Sequence, residues 1–225
     1  MKTPTRPNLP KTLLAIALVA IGLLSVGAVA TSLGASTKTN TVAFHDAMRK
    51  LWEDHITWTR LVIVSVANGL PDTSTTVTRL LQNQADIGSA IKPFYGDTAG
   101  MQLTSLLHDH ITIAAEILTA AKAGDNTALN DALTRWYANA NQIAAFLNAA
   151  NPKNWALATM QQMMKTHLDL TLKEAVTYLG ADYQGSINAY EQVHLEILQM
   201  ADMLSTGIIE QFHSTFTSNG SIMGG

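Results

Sequence analysis

From Val42 to Phe216 apolar side chains return at spacings of three and four, and no strand-like alternation persists between turn signals. A stripe with that period lies along one face of an α-helix, so the body of the chain is expected to be all-α. Turn residues divide it. A first helical segment runs from about Val42 to Asn68 and stops at "NGLPD", where Gly69 and Pro71 break it. A second follows Asp72, a carboxylate able to cap a helix start, and weakens near Gly88 and Pro93; "KPFYGDTAG" reads as a loop. The third runs from about Gly100 to Lys122 and ends at Gly124, and Asp125 caps a fourth that reaches about Ala149. Asn151-Pro152 reads as a cap with proline in the first helical position, opening a fifth segment that ends at Leu179-Gly180. Asp182 caps the last, which reaches about Phe216. Short loops favour antiparallel neighbours, so residues 42–216 are expected to form an antiparallel helical bundle of about six helices. Residues 217–225, "TSNGSIMGG", read as a flexible tail.

Ahead of the bundle, Lys2, Arg6 and Lys11 precede an uncharged apolar run from Leu13 to Ala30. A basic stretch followed by an apolar one is an export signal, and Ala28-Val29-Ala30 fits the small-x-small pattern of a cleavage site. The run is about 18 residues long, which is also near the length of a membrane-spanning helix. Residues 1–30 therefore read as a signal peptide or as an uncleaved membrane anchor, and 31–41 as a linker. Either way the bundle is expected outside the cytoplasm, secreted or anchored to the cell membrane by residues 13–30. The chain has no cysteine, so disulfides, thiolate metal ligands, covalent haem and cysteine nucleophiles are excluded. A net charge of −3 gives no reason to expect a nucleic acid partner. A membrane partner is expected only through the N-terminal segment. Gly-x-Ser-x-Gly, phosphate-binding glycine loops and His-Glu-x-x-His are absent, and whether the chain is an enzyme stays open.

The run Asp54-His55-Ile56-Thr57 recurs as Asp109-His110-Ile111-Thr112. Helical periodicity places both histidines on core rows, among Met48, Leu51, Trp58 and Val62 in one and Leu103, Leu107, Ala114 and Ile117 in the other. His167 falls in the row Met160, Met164, Thr171, Glu174, and His194 in the row Tyr190, Ile197, Ala201, Leu204. In an up-and-down bundle each of the four lies roughly 18 Å from the same rim, so they are expected in one layer. The two aspartates point about 100° away from their histidines and read as surface groups. A buried imidazole needs a partner. Four imidazoles in a layer can find one in a shared metal ion or in a polar network with water. The candidate ligands are His55, His110, His167 and His194, with Glu174 two turns beyond His167 as ligand, base or partner. Imidazole and carboxylate suit zinc, copper or iron; non-covalent haem between two facing histidines is the weaker fit. The alternative is a non-enzymatic bundle whose histidines are structural. His45, His108 and His213 read as solvent-facing, the core methionines and tryptophans as packing residues, and Asp202 as a buried partner of Arg60 or Arg135.

"LWEDHITWTR", "RWYANANQIAAFL", "HLDLTLKEAV" and "MADMLSTGIIEQF" resemble a group of small bacterial helical-bundle proteins for which no activity is established. The resemblance covers most of residues 48–212. It implies an all-helical fold and a bacterial source, and no substrate, cofactor or mechanism.

Overall fold

The structure, a computed structural model, describes residues 39–217. The expected signal or anchor segment, nearly all of the linker and the tail beyond Thr217 lie outside the described residues. A two-residue strand β1 (Thr39–Asn40) leads into α1 (Thr41–Asn68), followed by α2 (Thr73–Ala123), α3 (Asn126–Ala150), α4 (Leu157–Leu179) and α5 (Tyr183–Gln211). A single 3₁₀ turn, His213–Thr215, precedes β2 (Phe216–Thr217), which pairs parallel to β1. Among the described residues no helix is long and apolar enough to cross a membrane.

The all-α bundle is as the periodicity requires, but it has five helices rather than six. The expected loop "KPFYGDTAG" is helical except at Gly96, whose φ of 84° and ψ of 168° bend α2. Pro93 lacks a backbone donor and Gly96 tolerates positive φ, so α2 is two helical arms joined at a kink. The bend brings the two arms of α2 into contact. A Cβ on Gly88 would stand 2.6 Å from the Gly100 carbonyl, and only glycine fits. Two helix ends also differ from expectation. Asn151 does not cap a helix at Pro152, since α4 begins only at Leu157; its side chain is buried and donates to the Gly207 carbonyl at 2.8 Å. α5 stops at Gln211, short of Phe216.

The helices close a ring: α1 packs on α2 and α5, α3 on α2 and α4, and α4 on α5. The interior holds Ile56, Ile87, Ile143, Met160, Leu168 and Ile197, among others. Each such side chain contributes roughly 1.5–3 kcal/mol of burial.

Three of the connections repeat one design. The chain reverses at Gly69 (φ 63°), Gly124 (φ 69°) and Ala181 (φ 62°), the last being the only non-glycine at positive φ among the described residues. In each reversal the next N–H reaches back to close the helix end: Leu70 to the Ser65 carbonyl (3.0 Å), Asp125 to Ala120 (3.0 Å) and Asp182 to Thr177 (2.9 Å). Asp125 and Asp182 then cap the following helices with their carboxylates. Asp72 makes no such cap, because its carboxylate accepts from the Ser65 hydroxyl at 2.6 Å. Each reversal lies 14 residues after a core histidine, namely His55, His110 and His167. The body is thus three successive helical hairpins with one buried histidine each, at equivalent positions.

Candidate functional site

His55 on α1, His110 on α2 and His167 on α4 are 3%, 3% and 4% exposed. Their rings meet inside the bundle. The centroids of His55 and His167 are 5.5 Å apart and those of His110 and His167 6.5 Å. Three of the four histidines expected to share a layer do so.

Each ring is held through Nδ1 by the residue 29 positions later, on the second arm of its own hairpin. For His110 that residue is Asn139. The Asn139 amide nitrogen donates to the Leu106 carbonyl at 3.0 Å, which turns Oδ1 to the ring, so His110 Nδ1–H donates to Oδ1 at 3.0 Å. Trp136 stacks on the same ring at 5.2 Å and donates its indole N–H to the His110 carbonyl at 3.1 Å. His167 Nδ1–H donates to Glu196 Oε2 at 3.0 Å. A neutral imidazole that donates through Nδ1 keeps its lone pair on Nε2. His55 differs. The Gln84 amide nitrogen faces its Nδ1 at 3.2 Å while also lying 3.0 Å from the Leu80 carbonyl and 3.1 Å from Asn83 Oδ1. His55 Nδ1 is therefore the acceptor, and its proton sits on Nε2.

Burial holds both His55 and His110 well below the ordinary imidazole range, and the nearby His167 adds to the effect. For His110 the result is a pKa of about 3, despite the opposing bond to Asn139. Both rings are neutral at pH 7, the form that binds metals. Four buried polar atoms near the layer have no partner: Trp52 Nε1, whose ring packs edge-on against His55, Gln84 Oε1, Glu196 Oε1 and Thr171 Oγ1.

The other two expected site residues lie apart. Glu174 is 1% exposed and is engaged by Arg60, whose Nη1 donates to its carboxylate at 2.7 Å and to the Ser186 hydroxyl at 3.3 Å. Burial raises the Glu174 pKa, and the Arg60 partner partly offsets this. The Arg60 guanidinium also sits over the Tyr190 ring at 5.1 Å. His194 is not in the layer. Its side chain is 33% exposed, and Nε2 lies 2.8 Å from Glu53 Oε1. The buried stripe of α5 passes through Ser186, Ala189, Val193 and Ile197. His194 follows Val193 and so faces about 100° away. Asp202 likewise pairs with Arg49, at 2.6 and 2.9 Å, and not with Arg60 or Arg135.

As it stands, no group of three or more His, Asp or Glu side chains among the described residues is arranged to hold a metal ion. The spacing gives the reason. An ion about 2 Å from two ring nitrogens at a tetrahedral angle sets the ring centroids about 5.2 Å apart. The His55–His167 and His110–His167 pairs, at 5.5 and 6.5 Å, both exceed that separation.

Gln84, Asn139 and Glu196 were not among the expected site residues. Their constant separation from the histidines is a sequence signal, though one that acquires meaning only once each histidine is paired with its own hairpin. No protein-family model, curated protein or solved structure matches this chain.

Proposed function

We propose that the bundle binds one transition-metal ion, zinc, copper or iron, at the layer formed by His55, His110 and His167. The observation that carries this reading is the second contact of two of the three imidazoles. His110 and His167 each donate Nδ1–H, one to an amide oxygen and one to a carboxylate, the outer support that metal-bound histidines have. Both therefore keep their lone pair on Nε2. Glu196 strengthens His167 as a donor, while Glu174 remains paired with Arg60. Binding draws the His110 and His167 rings together by about 1.3 Å to reach tetrahedral angles. It also turns the Gln84 carboxamide over, so that the unpaired Oε1 accepts from His55 Nδ1–H and frees Nε2. The cavities beside the layer, about 30 and 20 Å³, favour a bare ion over a haem. The basic and apolar stretch of residues 1–30 supports a site of action outside the cytoplasm.

A second reading has its own support. With Gln84 oriented as it is, His55 is a hydrogen-bond donor rather than a ligand, which suits a purely structural polar layer. Elemental analysis and zinc titration calorimetry separate the two. Metal binding predicts one ion per chain, lost in His110→Gln and His167→Gln and kept in His194→Gln. A structural layer predicts no stoichiometric ion and a melting temperature unmoved by zinc.

A further inference from the structure

A cavity of about 30 Å³ lies one helical turn beyond the histidine layer, and none of the three imidazoles lines it. Its lining repeats with the hairpins. Thr59, Ala114 and Thr171 each lie four residues after a layer histidine, and Ile63, Leu118 and Ala175 each lie eight after. A side chain four residues on sits one turn along the same helix face, so the cavity is the next storey of the bundle above the imidazoles. Trp136, stacked on His110, forms part of its wall.

The chemistry of the lining restricts the occupant. Aliphatic side chains dominate. Of the two hydroxyls, Thr59 Oγ1 is committed to the His55 carbonyl at 2.8 Å. Thr171 Oγ1 is buried and has no partner. That is unusual within this chain, where Thr112 and Thr119, for example, fold their hydroxyls back on their own helix carbonyls at 2.9 and 2.8 Å. An ion or a strongly polar solute would lose its hydration with nothing to replace it. Water needs two to four polar partners, and the cavity surface offers none. The volume suits a molecule of about two heavy atoms.

We propose that this cavity binds a neutral, apolar diatomic molecule of the dioxygen class, held by its aliphatic lining alone. The pocket does not depend on the metal reading above. Xenon, an apolar probe of similar size, tests the pocket in crystals of the metal-free protein. Xenon is expected among Thr59, Ala114 and Thr171, and is expected to vanish in Ala114→Leu. Ala175→Val serves as the second cavity-filling variant where Ala114→Leu does not fold. An empty cavity under xenon, or an ordered water that xenon does not displace, overturns the proposal. Failure to take up any ion refutes the metal reading alone, and the xenon result still decides the pocket.

Discussion

Acidification tests the burial of the histidine layer through stability. An imidazole titrates near 6.5 when the chain is unfolded, whereas the folded environment lowers His110 to about 3. A depressed histidine pKa means that the unfolded chain binds the proton first. Stability is therefore complete above the unfolded value and is lost as pH falls from about 6.5 toward about 3. Between pH ~7.5 and ~5 the loss from His110 alone is ~2 kcal/mol. The figure is insensitive to the folded pKa, because pH ~5 still lies well above it. His55 is lowered in the same direction and adds to the loss. Glu174, raised by burial, works against it at the acid end. Urea unfolding followed by circular dichroism reads the sum, and a loss of ~2 kcal/mol moves the midpoint down by roughly 1 M urea. The variant His110→Gln isolates the term. It is less stable than the parent at neutral pH, and its stability falls with acid by ~2 kcal/mol less. A parent midpoint that stays level down to pH ~5, or a variant slope equal to the parent's, would refute the reasoning, since His110 would then titrate much as it does in the unfolded chain.

Other substitutions probe the frame around the layer. Arg60→Met leaves Glu174 buried without its partner and should cost ~3 kcal/mol or more, with Arg60→Met/Glu174→Gln recovering part of that in the same unfolding assay. Thr171→Val removes an unpaired buried hydroxyl at constant shape and should raise stability by ~1 kcal/mol; a loss of that size would mean that the hydroxyl has a partner. Ala181→Gly relieves the one strained reversal and should stabilise by ~0.5–1 kcal/mol, whereas Gly69→Ala should destabilise. Gly88→Ala forces the arms of α2 apart where they meet Gly100 and should lower stability by ~1–3 kcal/mol, read as a fall in melting temperature.

The helical period made the fold legible because the buried stripes are long and the turn residues sit where the chain reverses. Asp125 and Asp182 cap as their positions suggest, while Asp72 is diverted by Ser65, a side chain that only the folded hairpin brings near. The bend at Gly96 was read as a loop because proline and glycine together look like a stop, although one residue alone leaves the helical geometry. His55, His110 and His167 were visible because each lies on a stripe that stays straight through its neighbours. His194 misled because the α5 stripe shifts by one position toward Val193, and Glu196 takes the place beside His167. Gln84, Asn139 and Glu196 were invisible for a different reason. Polar residues on helices mostly face water, and nothing local distinguishes those that turn inward.

Anomalous diffraction at the zinc edge from crystals of the zinc-loaded protein tests the central claim most directly. The account predicts a single strong peak about 2 Å from Nε2 of His55, His110 and His167, with the Gln84 carboxamide turned so that oxygen faces His55. No peak in the layer, or zinc only at surface groups such as His45 or His194 with the three rings unmoved, would contradict it.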